Sequence, residues 1–274
     1  MNLQTLLRQD KPLIMGILNL TPDSFSDGGS HTDRGNAVQF ALKMVREGAD
    51  IIDVGGESTR PGSKRVSATE QIRRVESVIS SLRKTLPAEV PISIDTTRSE
   101  VAHAAVDAGA SILNDVTAGC DDNQMFSLAA DRNIPLVLMH MQGTPQTMQH
   151  DPNYDDVVGE ISSFLVQQAR QAEQAGVSER NIVIDPGIGF GKTRNHNMEL
   201  MANLKSFVNI GYPVLLGTSR KRFLGSISKE TEARNLVGAT CATTVLGVQA
   251  GVRIFRVHDV LPNRQAADVA FHTG

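Results

Sequence analysis

The chain has 274 residues, of which 40% are hydrophobic, and a formal net charge of −3. This length suits one barrel or two small domains with a sizeable core, and the dispersed charge excludes a strongly basic surface for nucleic acid or an anionic membrane. Two cysteines, Cys120 and Cys241, are too few for a disulfide framework, so we expect a reducing compartment and buried thiols. The sequence shows neither a signal peptide nor a membrane-spanning run, and the predicted location is the cytoplasm.

Eight short apolar runs alternate with segments of helical periodicity. Ala37, Ala41 and Met44 recur at helical spacing, and Ser67 with Glu70 forms a capping-box pattern before the next helix. Because the runs are apolar throughout, both faces of each strand are expected to be buried, which favours a closed parallel (β/α)8 TIM barrel spanning residues 1–274 as one domain. Periodicity alone is also compatible with an open doubly wound sheet. The predicted strands cover residues 13–18, 50–54, 92–94, 111–113, 134–139, 182–184, 214–216 and 252–257.

Polar side chains stand at the end of every predicted strand. In a barrel the carboxyl ends of all strands meet at one mouth, whereas in an open sheet only those near the switch point meet. The sequence therefore predicts an active site at the C-terminal ends of the strands. In chain order these residues are Asn19, Asp53, Asp95, Asn114 with Asp115, His140, Asp185, Ser219 to Lys221, and Arg256 with His258.

Two loops, after the first and second strands, are too long and unusual to be simple connections. The loop at 19–31 carries an aromatic residue, Phe25, among turn formers, and the loop at 55–67 carries Arg60, Lys64 and Arg65. Both follow strands at the predicted mouth, so they are expected to close over a substrate as lids. The simpler interpretation is a pair of flexible surface turns.

The segment 181–193 places a single carboxylate, Asp185, at the end of an apolar run, followed by Pro186 and three glycines. Two nucleotide motifs fail here on spacing: one residue, not two, separates Gly189 from Gly191, and Pro186 occupies the place of the first phosphate-loop glycine. A carboxylate would also repel a phosphate. We expect Asp185 to accept hydrogen bonds from a ligand, with the glycines leaving room for it.

Several blocks of sequence stand in order between about Met15 and about Asp259. They are Asn-Leu-Thr-Pro-Asp-Ser-Phe-Ser-Asp-Gly-Gly from Asn19, Asp-Val-Gly-Gly-Glu-Ser-Thr-Arg-Pro-Gly from Asp53, Ile-Asp-Thr from Ile94, Leu-Met-His-Met from Leu138, Asp-Pro-Gly from Asp185, Ser-Arg-Lys from Ser219 and Arg-Val-His from Arg256. Together these blocks resemble dihydropteroate synthases. The resemblance implies a folate-pathway barrel enzyme, usually a homodimer and a sulfonamide target, that joins para-aminobenzoate to dihydropterin-methyl pyrophosphate and releases pyrophosphate with Mg2+.

For the pterin ring, the chemistry demands acceptors, because the ring presents an amino group and N–H donors along one edge. Asp185 is assigned to that edge. By similarity, the other pterin-binding residues are Asp95, Asn114, Met139, Lys221 and Arg256, while His140 is expected only as a wall residue. Strand-end aspartates also cap helices, but Pro186 and the glycines make that role a poor fit for Asp185.

For the pyrophosphate, the resemblance assigns Thr59, Arg60, Arg256 and His258, with Asn19 as the ligand of Mg2+. His258 beside Asp259 also fits a helix-capping histidine. Aminobenzoate is expected between Phe25, Pro61, Phe190 and the Lys221 stem, with its carboxylate near Ser219 and a helix starting close to Arg220. The expected mechanism is dissociative: pyrophosphate leaves first, and the aminobenzoate nitrogen attacks the cation. The residues expected to serve catalysis are Phe25, Arg60, Asp95 and Lys221.

Two other functions remain open from the sequence. One is the pterin-binding barrel of a corrinoid methyltransferase, against which the Phe25 loop and the Thr59-Arg60-Pro61 segment argue, because a methyl donor has no pyrophosphate to hold. The other is a catalytically silent pterin-binding paralogue. The predicted partners are the two small-molecule substrates, and the homodimer is expected to form through the last helices.

Overall fold

The structure, a computed structural model, describes residues 3–20 and 31–274, with backbone alone for 31–33. Phe25 and most of the first long loop lie outside the described residues. The account below concerns the two described ranges.

Eight parallel strands form the barrel. Neighbours in the sheet follow chain order from β1 to β6, and β8 lies between β1 and β7. A parallel bridge between Ile184 and Val214 joins the two ends of the sheet, so the strands enclose an interior. The predicted TIM barrel is confirmed, and the open sheet is wrong. The strands are β1 (Leu13–Asn19), β2 (Ile51–Gly55), β3 (Ile92–Asp95), β4 (Ile112–Asp115), β5 (Leu136–Met139), β6 (Ile182–Asp185), β7 (Leu215–Leu216) and β8 (Ile254–Val257).

Helices follow the strands and cover the barrel. The segments of helical periodicity form helices, and no helix in the described ranges is long and apolar enough to cross a membrane. Ser67 caps its helix as predicted, but Glu70 pairs with Arg73 and Arg74. The helices are α1 (Leu3–Arg8), α2 (His31–Arg46), α3 (Ala68–Thr85), α4 (Ser99–Asp107), α5 (Gln124–Arg132), α6 (Val157–Gln174), α7 (Arg194–Ala202), α8 (Leu204–Val208), α9 (Arg222–Ser228), α10 (Val237–Ala250) and α11 (Val260–Thr273).

Two apolar cores hold this arrangement together. The larger core lies between strands and helices, and the smaller one fills the barrel interior with residues such as Met15, Ile112 and Val183. Helix α1, which periodicity did not predict, adds Leu3 and Leu6 to the interior core. The interior is therefore packed rather than open. The polar residues lie at the C-terminal ends of the strands, above this apolar core.

The cysteines correct one expectation. Cys120 is exposed and Cys241 is partly exposed, whereas both were predicted to be buried. Cys120 lies in the turn after β4, where its sulfur is 3.0 Å from Nε2 of Gln168 on α6. That polar partner lets a thiol remain at the surface of the barrel wall.

Candidate active site

The mouth of the barrel begins with a ring of strand-end residues. Asn19, Gly55, Asp95 and Asn114 are register partners across β1 to β4. Because side chains at paired positions of neighbouring strands share a face, the three polar members of this ring lie on one side of the sheet. The strand ends that the sequence singled out therefore come together as predicted for a barrel.

Arg256 links this ring to a deeper layer. Its Nε donates to Oδ2 of Asp53 at 2.7 Å, and its Nη2 donates to Oδ2 of Asp95 at 2.7 Å. Nδ2 of Asn114 lies 3.3 Å from Oδ2 of Asp53. The sequence marked Asp53 as a strand-end residue but gave it no role, and only the fold reveals that it joins Arg256 to Asn114. The guanidinium lies between the carboxylates of Asp53 and Asp95. The resemblance, in contrast, predicted that it lies over the face of the pterin ring.

Two ionisable groups at the mouth have pKa values close to neutrality. Burial raises the pKa of Asp95 to about 7, although the Arg256 guanidinium opposes that rise. Burial lowers the pKa of Lys221 to about 7, although the Asp185 carboxylate opposes that fall. A carboxyl and an amine that both change protonation near pH 7 can adjust their charge to a ligand.

Asp185 lies at the end of β6 and is 5% exposed. Its Oδ1 accepts a hydrogen bond from the backbone N–H of Gly187 at 2.7 Å, and Met139 of β5 is its register partner. Burial raises the pKa of Asp185, while the Gly187 hydrogen bond and nearby Lys221 lower it. The carboxylate turns the chain just after the strand and does not cap a helix, because α7 begins only at Arg194.

The glycines after Asp185 allow neighbouring loops to pack closely. A Cβ on Gly187 would lie 1.9 Å from the carbonyl oxygen of His140, and one on Gly189 would lie 2.7 Å from Cδ of Lys221. Both have positive φ angles, +67° and +82°. These glycines let the loop after β6 press against the loop after β5 and against Lys221.

Lys221 contacts the loop after β6 at two points. Its Nζ donates to the carbonyl of Ile188 and lies 4.0 Å from the centre of the Phe190 ring. Phe190 and the Lys221 stem are thus adjacent, as expected for walls of one subsite. The ammonium over the ring face also gains a favourable cation–π contact.

Lys192 is a buried lysine that the sequence analysis did not single out, and burial lowers its pKa well below the usual range. It is 2% exposed, and its Nζ lies 2.9 Å from Nδ1 of His140 and 2.9 Å from the carbonyl of Phe190. The His140 ring also meets Phe164 of α6 edge-on at 4.9 Å. Burial and the Lys192 charge lower the pKa of His140 to about 3, so its imidazole is neutral. His140 therefore packs behind the mouth. In the sequence, Lys192 stands directly after Gly191, in the segment whose phosphate-loop spacing was rejected.

His258 and Ser219 form a hydrogen-bonded pair. Oγ of Ser219 accepts from the backbone N–H of His258 at 3.1 Å and lies 3.0 Å from its Nδ1. Burial, followed by the positive charges of Arg256 and Arg220, lowers the pKa of His258 to about 3. A neutral imidazole donates from one nitrogen and accepts at the other, so the contact of Nδ1 with Ser219 leaves Nε2 for a ligand. Helix α11 begins after Asp259, and His258 uses its ring on Ser219 instead of capping that helix.

The helix that was expected to start near Arg220 begins at Arg222. Arg220 has a φ of +58°, and its backbone N–H lies 3.3 Å from Oγ1 of Thr240. The N–H of Lys221 donates to the carbonyl of Thr218 at 3.1 Å. Two backbone donors expected to serve a carboxylate therefore have partners within the chain, because the left-handed turn at Arg220 redirects them.

The second long loop, between Gly55 and α3, is held at several points. Glu57 accepts from the backbone N–H of Val66 at 2.6 Å, Gly62 N–H donates to the carbonyl of Pro145 at 2.8 Å, and Arg65 pairs with Asp121. The loop thus reaches the loops that follow β4 and β5. Its remaining predicted site residues are half-buried Thr59 and exposed Arg60 and Pro61.

Asn19 is half-buried at the end of β1 and supplies a neutral oxygen. Within residues 3–20 and 31–274, no group of three or more His, Cys, Asp or Glu side chains is arranged to hold a metal ion. A single amide oxygen suits an ion such as Mg2+ that keeps most of its ligands as water and phosphate oxygens. The donor set therefore fits an ion carried with a phosphorylated substrate.

Comparisons with known proteins find relatives that match most of the chain. The family model described as "Pterin binding enzyme" matches residues 15–258. A dihydropteroate synthase of Bacillus subtilis is 48% identical over 252 residues, which are 92% of this chain and 85% of that protein.

Solved structures give the same result. Xanthomonas albilineans dihydropteroate synthase with 4-aminobenzoic acid is 44% identical, with a TM-score of 0.90 over 96% of this chain and 93% of that one. The Yersinia pestis dihydropteroate synthase in a sulfonamide drug complex is 38% identical, with a TM-score of 0.89 over 96% of this chain and 94% of the other.

Proposed function

The chain belongs to the dihydropteroate synthase family of pterin-binding enzymes, and on that premise we propose how its residues divide the reaction between them. The protein is a transferase that condenses (7,8-dihydropterin-6-yl)methyl diphosphate with para-aminobenzoate, giving 7,8-dihydropteroate and pyrophosphate in folate biosynthesis. The best support for this assignment of residue roles is a cluster of buried hydrogen-bond acceptors at the mouth of the barrel, formed by Asp95, Asn114 and Asp185.

The pterin ring is proposed to bind among these acceptors. Asp185 takes the ring N–H and the amino group in a fork, and Asn114 and Asp95 accept from the remaining donors. Lys221 donates to the carbonyl side of the ring, because its ammonium lies beside Asp185 and titrates near pH 7. Met139, the register partner of Asp185, packs against the ring. Arg256, which lies between Asp53 and Asp95, covers the ring and reaches toward phosphate.

Pyrophosphate is proposed to lie where donors and positive charge converge. Neutral His258 offers its Nε2–H, Thr59 offers a hydroxyl, and Arg60 and Arg256 supply charge as the leaving group forms. Asn19 would hold Mg2+ together with phosphate oxygens, and the ion would neutralise part of the charge on the departing group. The exposed position of Arg60 on the second loop suits a residue that approaches substrate from above.

Aminobenzoate is proposed to bind between Phe190 and the Lys221 stem, with Pro61 and Phe25 as further walls. The contact between Lys221 and Phe190 supports this subsite. We place the aminobenzoate carboxylate near Ser219 because of the family resemblance. In the structure the Ser219 hydroxyl contacts His258. The complex of the Yersinia pestis relative with a sulfonamide drug supports this chain as a sulfonamide target.

The reaction is proposed to be dissociative. The bond between methylene carbon and oxygen breaks, its electron pair leaves with pyrophosphate, and the cation is delocalised into the electron-rich dihydropterin. Asp95 stabilises that charge, and the aminobenzoate nitrogen then attacks the carbon and loses a proton. No protein nucleophile is required, since two substrates held in line supply much of the rate by proximity.

A labelled substrate tests both the activity and its mechanism. With both substrates, we expect pyrophosphate and dihydropteroate in equal amounts. With the pterin diphosphate alone, carrying 18O in the bridging position, a reversibly formed cation should exchange that label into non-bridging positions and release pyrophosphate slowly. Phosphorus NMR measures the exchange, and buffer without enzyme is the control.

Each negative outcome has a distinct meaning. Condensation without isotope exchange or slow release would favour direct displacement. No pyrophosphate with either mixture would favour a methyltransferase or a catalytically silent paralogue. The cytoplasmic location stays a prediction from the sequence.

We also propose a homodimer formed through α10 and α11. Leu246 is 52% exposed on α10, and Leu261 and Val269, two turns apart on α11, are 46% and 64% exposed. Apolar side chains at this spacing share a face of the helix and favour burial against a second copy. Sedimentation velocity should give about twice the mass of one chain, and the Leu246→Glu/Val269→Glu variant should sediment as a monomer. A monomeric wild-type chain at micromolar concentration would contradict the proposal.

A further inference from the structure

Asp53 is fully buried at 0% exposure, and it joins two residues of the pterin site. Its Oδ2 accepts from Nε of Arg256 at 2.7 Å and lies 3.3 Å from Nδ2 of Asn114. Resting on the proposed function, we propose that Asp53 is a positioning residue that sets which end of the Asn114 amide faces the pterin. It thereby makes the site prefer a 2-amino ring over a 2-oxo ring.

The orientation of the amide follows from the chemistry of the two groups. An ionised carboxylate only accepts hydrogen bonds, so Asn114 must turn its NH2 toward Asp53. Both oxygens of Asp53 lie within 3.5 Å of Nδ2, at 3.3 and 3.5 Å. Because the amide is planar, Oδ1 then points away from Asp53. Among the described residues, none donates a side-chain hydrogen bond to that oxygen, which leaves an acceptor for a ligand.

A pterin needs that acceptor. Its 2-amino group has two hydrogens, of which the Asp185 fork takes one together with the neighbouring ring N–H. The second amino hydrogen points to the other side, where Oδ1 of Asn114 accepts it. If the amide were reversed, its NH2 would face the amino group donor to donor. A 2-oxo ring has the opposite requirement, because its carbonyl oxygen is repelled by Oδ1 of Asn114 and accepts a hydrogen bond from the NH2 of a reversed amide.

Asp53 also keeps Arg256 in place. The guanidinium is held at Nε by Asp53 and at Nη2 by Asp95. When a ring donor engages Asp95, the contact with Asp53 persists, since it lies one layer deeper in the barrel. Arg256 therefore stays at the mouth in a fixed orientation.

The experiment is the Asp53→Asn variant, with affinity for 6-hydroxymethylpterin and 6-hydroxymethyllumazine measured by calorimetry. In the variant, the amide keeps its oxygen at Arg256 and carries NH2 at the other position, so two oxygens no longer hold the Asn114 amide in one orientation. Pterin should bind more weakly and lumazine no more weakly, and the preference for pterin should fall roughly tenfold. A general loss of packing would weaken both ligands equally and leave the ratio unchanged.

Ser93→Ala is the matched control. Ser93 is the register partner of Asp53, is 0% exposed, and has an Oγ without a partner among the described residues. Removing its hydroxyl disturbs the same layer of the barrel but leaves Asp53, Arg256 and Asn114 in contact. The pterin preference should match that of the wild type. An equal loss in Ser93→Ala, or an unchanged ratio in a folded Asp53→Asn protein, would overturn the proposal.

A second variant decides the matter if Asp53→Asn does not fold. Asn114→Ala keeps the Asp53–Arg256 pair and should lose the same preference for pterin. An unchanged ratio in Asn114→Ala overturns the proposal by itself. Ring binding requires no turnover, so a failed condensation assay with wild-type protein would refute the proposed function while the binding ratio still tests Asp53.

Discussion

Asp185→Asn should reduce affinity for the pterin ring on the order of 100-fold, which corresponds to about 2.7 kcal/mol. The Gly187 N–H donates to Oδ1 of Asp185 at 2.7 Å, and an asparagine would keep its oxygen there. Its NH2 would then face the donor edge of the ring. Calorimetry with 6-hydroxymethylpterin measures the loss. The thermal midpoint should change little, because the turn keeps its hydrogen bond and a buried charge is removed.

Asp115→Asn is the matched control for that result. Asp115 is also a buried strand-end carboxylate, but it accepts from Thr117 and from the backbone N–H of Gly119 at 2.7 to 2.8 Å. Its loss should lower the thermal midpoint and leave pterin affinity near that of the wild type. If Asp185→Asn binds pterin normally, Asp185 does not contact the ring.

Lys221→Met should lower kcat/KM by about 100- to 1,000-fold, the range expected when one charged donor to a reacting ring is removed. Methionine preserves the apolar stem against Phe190, so the loss reports the ammonium and not the packing. Steady-state kinetics with the pterin diphosphate varied measures it. A decrease below tenfold would show that Lys221 is only a wall.

The same variant should also change the pH dependence. Burial lowers the pKa of Lys221 to about 7, so above pH 7 the side chain is increasingly neutral. An anionic ligand raises that pKa, and binding above pH 7 therefore takes up a proton. Wild-type affinity for the pterin diphosphate should fall as pH rises from 7 to 9, while Lys221→Met should show a weaker, flatter profile. Lys84→Met, which removes an exposed lysine in the last turn of α3, is the control and should keep the alkaline fall.

Much of the fold was readable from local pattern. All eight strands begin and end within two residues of the predicted runs, because apolar β-branched segments between turn residues carry their own boundaries. The barrel followed from polar residues at strand ends, a signal that an open sheet does not explain as well. Helix α1 was missed, since six residues with two buried leucines are too short for periodicity to detect.

Contacts between distant residues could not be predicted in this way. Arg256 pairs with Asp53 across 203 residues, and Lys192 pairs with His140 across 52. Nothing in a local pattern selects these partners, because barrel closure and loop packing decide them. The Ser219–His258 contact is of the same kind, since it joins residues 39 positions apart.

If the pterin ring donates to Asp95 as proposed, it meets an oxygen that already accepts a hydrogen bond from Arg256. Because Asp53 also holds the guanidinium, this donor belongs to the same chain and is always close to that oxygen. On that proposal, a molecule with one weak donor would gain too little to displace Nη2 of Arg256 from Asp95, whereas a ring that engages Asp185, Asn114 and Asp95 together would gain enough. The ion pair would then select against ligands that carry only part of the donor edge of the ring.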